Sequence, residues 1–447
     1  MLALSGISLF RTQSLGSFGA AMAAAVYCAL SPSLAFSQLG LALRAELEYI
    51  ENPRRISTDS SEADLLSTIA ASVEWARVTE RFETSLQYQA SKQDYRDGLL
   101  ADQDRIAGNG TLIWKLFPDR LTWHISNRRN NVLIDISEAD TTDNRQILSQ
   151  VSTGPTLTVP FGGVNFLSAS ADFSKVSFEQ SQSIDQSRNN YSLSLSRLVG
   201  SRLTLSLGSN YSEADFGGFG LQNFDSLTTT ASAEWNTESY NLTAGIGRNQ
   251  SERIGFESDN PTYSLNATYS VNARLGLAAS YSQSVQDLIN EFRQFDAVDT
   301  SFQDEEFGFG DRIGDSNSDS LYLRKSKSLG ATYTVDTAIS LGIRYSDDVR
   351  SSLFLPFEEF DERLSSTVNF SASTRLNLGA MVEYSRLTNE RRFEGERKLL
   401  RLSMNASYQL GERFQLFVRA LNTDQKGEGT LRDFGGNNFA IGITYTR

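Results

Sequence analysis

Apolar and polar side chains alternate with a period of two along the chain from Leu41 onward, in stretches of about 9 to 13 residues. A β-strand with one apolar and one polar face produces this pattern, because successive side chains point to opposite faces. The stretches come in pairs, of which 263–271 and 275–282 are the clearest. The apolar positions of that pair are Tyr263, Leu265, Ala267, Tyr269, Val271, Leu275, Leu277, Ala279 and Tyr281. The sequence therefore predicts an all-β chain built from repeated hairpins.

Short turns separate the two strands of each pair, and longer acidic or Gly- and Asn-rich segments separate the pairs. The predicted short turns lie at 79–80, 117–119, 161–163, 199–201, 236–238, 272–274, 336–338, 373–375 and 411–413. The predicted long segments lie at 51–63, 135–144, 179–188, 213–222, 251–260, 286–319, 388–395 and 426–436. This asymmetry is typical of outer-membrane barrels, with short periplasmic turns and long extracellular loops. We therefore expect a single transmembrane antiparallel up-and-down β-barrel of about 20 strands, 18 being the other even number allowed.

Aromatic residues fall at two levels of the predicted strands. The tryptophans lie within a few residues of a short turn: Trp75, Trp114, Trp123 and Trp235. Four tyrosines lie roughly 7 to 10 residues beyond a turn: Tyr211, Tyr281, Tyr345 and Tyr384. Two such levels are expected for aromatic girdles at the two membrane interfaces. The alternative, a soluble all-β repeat protein such as a propeller, does not account for both girdles.

Composition and charge argue against helical membrane proteins, cysteine-dependent sites and nucleic-acid binding. Mean hydropathy is -0.33 with 39% hydrophobic residues, and no run of about 18 apolar residues follows residue 38, so transmembrane helices are not expected there. Residues 1–37 predict a secretory signal ending in Ala35-Phe36-Ser37, which leaves 38–447 for the barrel. The single cysteine, Cys28, lies in that signal, so neither disulfides nor cysteine metal sites are expected. A formal charge of -13 argues against a nucleic-acid partner.

Charges on the predicted inner face are distributed unevenly. The acids belong to early strands: Glu46, Glu48, Glu74 and Glu83. The arginines belong to late strands: Arg344, Arg363, Arg401 and Arg419. Because closure places the first and last strands side by side, one hypothesis is a transverse electric field across part of the pore. The alternative is neutralisation by ion pairs within the wall.

Segment 286–319 combines five phenylalanines with ten carboxylates. A connection of this length is usually either functional or disordered. It either folds inward as a constriction or stays outside as a solvated loop, where it could bind divalent cations. Its deletion should raise conductance in the first case.

Catalytic motifs are not found. His124 is the only histidine, and Ser126 follows on the same strand face. Nucleophilic catalysis requires serine and histidine within hydrogen-bond reach, whereas residues i and i+2 of a strand lie about 6 to 7 Å apart. The sequence contains no Gly-x-Ser-x-Gly, paired-histidine metal motif or phosphate-binding glycine loop. We therefore expect no enzyme, no cofactor and no metal site.

Three short motifs resemble a known group of proteins. The first predicted strand ends in Glu48-Tyr49-Ile50-Glu51-Asn52-Pro53, a turn reads Leu116-Phe117-Pro118, and Thr153-Gly154-Pro155 follows. With the barrel pattern, these motifs resemble a large, divergent group of outer-membrane β-barrel porins found with exopolysaccharide export and PEP-CTERM systems in proteobacteria. Glu51 replaces the aspartate usual in that group. The resemblance implies a role in exopolysaccharide export.

The C-terminal stretch alternates Phe439, Ile441, Ile443 and Tyr445 with small residues. It resembles the signal strand recognised by the bacterial outer-membrane assembly machinery, although it ends in Arg447 and not in an aromatic residue. We therefore expect the outer membrane of a Gram-negative bacterium as the location, with its lipids and assembly machinery as partners. The expected function is a channel for exopolysaccharide or another polymer or solute. A general diffusion porin for small solutes and a structural or adhesive barrel are the alternatives.

Overall fold

A computed structural model describes ten stretches of the chain. They are residues 39–55, 62–133, 144–180, 185–216, 223–253, 255–287, 321–353, 358–389, 396–427 and 433–447. The predicted signal at 1–37 and most of segment 286–319 lie outside the described residues, so both interpretations stay predictions.

The described residues form 20 β-strands and no α-helix. In chain order the strands are β1 (Leu39–Ile50), β2 (Asp64–Val78), β3 (Phe82–Tyr95), β4 (Gln103–Phe117), β5 (Leu121–Leu133), β6 (Arg145–Phe161), β7 (Asn165–Phe178), β8 (Gln186–Val199), β9 (Leu203–Phe216), β10 (Phe224–Asn236), β11 (Tyr240–Arg253), β12 (Phe256–Ser270), β13 (Leu275–Gln286), β14 (Tyr322–Thr334), β15 (Ile339–Ser352), β16 (Glu358–Ser371), β17 (Leu376–Asn389), β18 (Glu396–Gln409), β19 (Phe414–Gly427) and β20 (Phe434–Thr446).

Each strand pairs antiparallel with the next, and β20 pairs antiparallel with β1, so the sheet is closed. The closing register runs from Ala42 opposite Thr446 to Ile50 opposite Asn438. Closure leaves no sheet edge, and unpaired edge groups in hydrocarbon would cost several kcal/mol each. The predicted all-β barrel of about 20 strands is confirmed. In the described stretches no helix has the length and apolarity needed to cross a bilayer.

The nine short turns are confirmed at the predicted positions. Side chains close several of them: the Asn272 Oδ1 atom accepts hydrogen bonds from the backbone N–H groups of Arg274 and Leu275, at 2.8 and 2.9 Å. Asp336 closes the β14–β15 turn in the same way. Asn and Asp favour turns because their side chains can accept such bonds. We call this end of the barrel the turn end and the opposite end the loop end.

The expected long loop at 251–260 is wrong. Strand β11 continues to Arg253 and β12 begins at Phe256, with these two residues directly opposite each other. The strands are 12 to 17 residues long, longer than the 9 to 13 expected, and a bilayer requires only about 9 to 11. Strands that extend beyond the hydrocarbon can carry acidic residues such as Glu252 and Glu257 without losing their pairing, so acidity did not mark a loop here.

The two faces of the sheet differ in exposure and chemistry. In β1, Leu47 and Tyr49 are about half exposed, whereas Glu46 and Glu48 between them are buried. The same alternation continues around the barrel, with the exposed large apolar side chains on the outer face and polar groups on the inner face. An apolar exterior and a polar interior are what a transmembrane barrel requires.

Candidate functional site

Hydroxyl side chains meet on the inner face of β12, β13 and β14. Ser264, Ser282 and Ser326 lie opposite one another on three consecutive strands. Across the neighbouring row, the Ser280 and Ser328 hydroxyl oxygens are 2.7 Å apart. Because a hydroxyl both donates and accepts hydrogen bonds, this hydroxyl sector can bind water or a polar solute without a net charge.

Charged residues concentrate on the inner face from β14 to β17, where they form ion pairs. Arg324 contacts Asp348 at 2.9 Å, and Arg350 contacts Glu359 at 2.7 Å. The predicted pore-lining residue Arg363 lies 3.4 Å from Asp361 on its own strand. Arginine and carboxylate side chains therefore alternate along this wall.

Four residues form a buried ionic cluster where the barrel closes, which we call the seam cluster: Arg44, Glu46, Glu48 and Arg419. The guanidinium of Arg419 reaches from β19 across β20 to Glu46 at 2.8 Å and Glu48 at 3.7 Å. It passes the small side chain of Ala440, which lies opposite both Arg419 and Glu48. Arg44 also bonds Glu46, and its guanidinium carbon lies 4.4 Å from the Phe417 ring centroid.

The structure places the eight predicted pore-lining charges on the inner face, in three kinds of surroundings. Glu46, Glu48, Arg363 and Arg419 are in the ion pairs described above. Glu83 pairs with Lys115 at 2.5 Å, and Arg401 lies opposite Glu383 in the register. Glu74 and Arg344 are exposed on the inner face. Where the first and last strands meet, Arg419 forms ion pairs with Glu46 and Glu48. A transverse field would require an acidic wall and a basic wall that do not neutralise each other, and at this position the charges are paired.

The eight predicted girdle residues lie on the outer face. Trp114 stacks on Phe82 with ring centroids 6.0 Å apart and lies opposite Trp123; Trp75 and Trp235 lie near the same end. The tyrosines lie nearer the loop end: Tyr211, Tyr281, Tyr345 and Tyr384. Their contact with the membrane interfaces stays a prediction.

His124 and Ser126 bond different partners. The His124 Nε2 atom lies 2.9 Å from Asp172 Oδ2, and the Ser126 hydroxyl lies 2.8 Å from that of Ser152. Gly154 lies on β6, between His124 on β5 and Asp172 on β7. Because Gly154 has no side chain, it leaves room for the His124 and Asp172 side chains to meet. In the part of the chain that the structure describes, no three His, Cys, Asp or Glu side chains are grouped to hold a metal ion.

Inner-face burial increases toward the loop end. Gln146, Leu148 and Arg188 are 1% exposed or less, whereas inner residues nearer the turn end, such as Thr332 and Asn369, are exposed. The buried Arg188 of β8 donates two hydrogen bonds to Asp287, at 2.8 and 3.0 Å, although Asp287 follows β13, five strands away in the sheet. The described interior is therefore open at the turn end and packed at the loop end.

Leu321, which directly precedes β14, also packs against strands that are not its neighbours in the sheet. It is buried against Ala214 and Phe224, on β9 and β10. Asp287 and Leu321 thus bring both ends of segment 288–320 to the inner face of β8 to β10. The two predictions for this segment, a constriction inside the barrel or a solvated loop outside it, concern residues outside the described stretches and stay predictions.

Arg44, Asp172 and Arg188 were not among the residues predicted from the sequence. Alternation alone places each of them on the inner face. Their partners could not be read from it, because Asp172 is 48 residues from His124 and Asp287 is 99 residues from Arg188. Only the register and the packing at the loop end bring these groups together.

Solved structures with a similar fold include a ferric enterobactin receptor and an iron transporter. The ferric enterobactin receptor PfeA of Pseudomonas aeruginosa, in complex with BCV-L6, is similar at 11% identity and a TM-score of 0.52, over 92% of this chain and 81% of that one. The chain is an outer-membrane β-barrel. The FrpB iron transporter of Neisseria meningitidis, F5-1 variant, is similar at 10% identity and a TM-score of 0.51, over 92% and 82% of the two chains. At these identities the likeness concerns the fold alone. No family model and no curated protein matches the chain.

Proposed function

We propose that this barrel is a channel for polar solutes of carbohydrate type, with exopolysaccharide or another secreted polymer as its first candidate cargo. The observation that carries the proposal is the hydroxyl sector, where Ser264, Ser282 and Ser326 lie in one row across adjacent strands. Sugars present many hydroxyl groups, and a wall of hydroxyls can exchange hydrogen bonds with them without fixing one orientation. Exchangeable weak contacts favour passage over tight binding.

Barrel size also supports a channel. Barrels of about 16 to 18 strands already leave an aqueous passage, and the described residues of this chain form 20 strands. Strands account for nearly all of the described residues, and no separate domain lies among those residues. The resemblance to porins found with exopolysaccharide export supports the same cargo class.

A general diffusion porin for small solutes is the second candidate. The observation that favours it is the packing at the loop end, because the contacts of Arg188 with Asp287 and of Leu321 with Phe224 narrow the described interior there. A narrow passage would admit small solutes and exclude a polymer.

Liposome swelling with sugars of graded size tests both candidates. The refolded protein is incorporated into vesicles, and swelling is followed with glucose, a tetrasaccharide and dextran fragments. Entry of all sizes supports the polymer channel, whereas entry of glucose alone supports the diffusion porin. Absence of swelling with every sugar, together with absence of conductance in planar bilayers, contradicts the channel proposal.

A pair of matched variants examines the hydroxyl sector itself. Ser282→Leu places an apolar side chain on the inner face, and Thr229→Leu makes a comparable change on the outer face. We expect slower sugar entry for Ser282→Leu and unchanged entry for Thr229→Leu. Equal rates of sugar entry for the two variants would show that the hydroxyl sector does not contribute to passage.

A further inference from the structure

One buried ion pair joins two strands that are far apart in the sheet. Asp287 directly follows β13, and its carboxylate accepts hydrogen bonds from both terminal nitrogens of Arg188 on β8, at 2.8 and 3.0 Å. Strands β8 and β13 are five positions apart in the sheet. We call this contact the cross-barrel pair. By contrast, the inner-face pair of Arg324 and Asp348 joins the neighbouring strands β14 and β15.

The arginine half of the cross-barrel pair is held on the wall by further contacts. Arg188 also donates a hydrogen bond to Gln186 Oε1 on its own strand at 3.1 Å, and its guanidinium carbon lies 5.7 Å from the Phe224 ring centroid. Phe224 is itself buried against Leu321, which directly precedes β14. The guanidinium is therefore oriented by its own wall, which lowers the conformational cost of forming the pair with Asp287.

The aspartate half is not positioned by strand pairing. The pairing of β13 with β14 ends at Gln286, opposite Tyr322, so Asp287 lies beyond the last position of the ladder. A bidentate pair of arginine and carboxylate fixes both the distance and the orientation of its partners. Breaking the cross-barrel pair would therefore let Asp287 move without the loss of a ladder hydrogen bond.

The cross-barrel pair fills part of the interior. The side chains of Arg188 and Asp287 are 0% and 7% exposed, and Ala214 on the inner face of β9 is buried as well. Inner-face residues beside an open lumen are exposed, as Thr332 and Asn369 are near the turn end. Burial at the loop end therefore indicates that the passage is narrower where the cross-barrel pair lies.

We propose that the cross-barrel pair is a latch that limits the size of the solutes that pass the loop end. With the pair formed, small polar solutes pass; with it broken, Asp287 leaves the wall and larger solutes pass. The inference rests on the proposed channel and connects its two candidates, since one barrel would pass small solutes when latched and a polymer when released. Removing one partner leaves the other buried without this counter-charge, which favours the arrangement where it reaches water.

Asp287→Asn and Arg188→Gln are the test variants, because each removes one charge and keeps a polar side chain of similar shape. Asp348→Asn is the matched control. It weakens an inner-face pair of the same residue types, with Arg324 at 2.9 Å, but that pair joins adjacent strands and its loss releases no chain from the wall. Heat-modifiable electrophoretic mobility establishes that each variant is folded, and the second test variant protects against failure of the first.

Liposome swelling with glucose, a tetrasaccharide and dextran fragments measures the size limit. We expect the parent protein and the control to admit glucose and exclude the dextran fragments. Each test variant should admit dextran fragments at least about 10-fold faster than the parent, since breaking a buried pair from one side shifts an equilibrium by more than that factor. The double variant Arg188→Gln/Asp287→Asn should behave like the single variants, because both changes act through one contact.

Labelling of a cysteine beside the latch provides a measurement that requires no transport. Gln286→Cys, at a position that is 7% exposed, is introduced into a chain in which Cys28 is replaced by serine. A water-soluble maleimide should label it slowly in the parent background and at least about 10-fold faster when Asp287→Asn is added. The control substitution Asp348→Asn should leave the labelling rate unchanged.

The outcomes separate the latch from the channel. Entry of dextran fragments through the parent protein, or an unchanged size limit in both folded test variants of a conducting barrel, overturns the latch and leaves the channel standing. An equal effect of the control variant also overturns it, because loss of any wall charge would then suffice. Faster labelling in the test variant, with neither conductance nor swelling in any protein, contradicts the channel and leaves the latch standing.

Discussion

Removing Arg419 should destabilise the barrel through the seam cluster. Its side chain is 12% exposed, and those of Glu46 and Glu48 are 6% and 5% exposed. In Arg419→Met the aliphatic part of the side chain is kept while two buried carboxylates lose their shared cation. Breaking a buried ion pair from one side costs about 3 to 5 kcal/mol. Because Arg44 still bonds Glu46 and Asn438 still donates to Glu48, we expect the lower limit, about 3 kcal/mol.

Urea unfolding in lipid vesicles, followed by tryptophan fluorescence, measures this loss as a shift of the midpoint at unchanged slope. Arg202→Met, in the exposed β8–β9 turn, is the control and should change stability by less than about 0.5 kcal/mol. Adding Glu48→Gln to Arg419→Met removes one uncompensated charge. We expect the double variant to regain about 1 kcal/mol or more.

The expected loss of stability requires Glu46 and Glu48 to be both buried and charged. If Arg419→Met unfolds like the control, water or another cation must compensate Glu46 and Glu48. If it is destabilised but Glu48→Gln gives no recovery, the loss comes from packing and not from the buried charge. Either result refutes the electrostatic account of barrel closure.

Three further predictions concern the pore, the wall and the membrane. Arg344→Ser should make the pore less anion-selective, because an exposed inner-face cation is lost; reversal potentials in a salt gradient measure this, with the outer-face Arg197→Ser as control. Gly154→Ala should destabilise the barrel by about 3 kcal/mol, because its Cβ would lie 1.8 Å from the Ala171 carbonyl oxygen. Gly411→Ala, with open space around it, should unfold at the parent midpoint, and equal loss in both would contradict the steric reason. Tryptophan fluorescence should be quenched more by labels near the lipid headgroups than by labels at the bilayer centre, and the reverse order would contradict the girdle.

Local pattern was sufficient where each residue's role depended on its neighbours in sequence. The nine short turns were predicted because side chains such as Asn272 and Asp336 act within three residues of their own position. The loop at 251–260 was mispredicted because its acidity was taken as a sign of unpaired chain. Strand pairing there is decided by backbone partners, and Glu252 and Glu257 lie opposite each other within the ladder.

The sequence by itself determined the strand class, the inner and outer faces and the closed architecture, because these follow from a period of two and from the cost of unpaired backbone in hydrocarbon. It also placed the eight candidate pore charges on one face. Only the tertiary structure decided which charges meet, since Arg419 and Glu46 are 373 residues apart and become neighbours through closure. The packing of Asp287 on Arg188 has the same origin. Contacts between distant strands depend on register and on how the chain folds at the loop end, and neither leaves a periodic signal in the sequence.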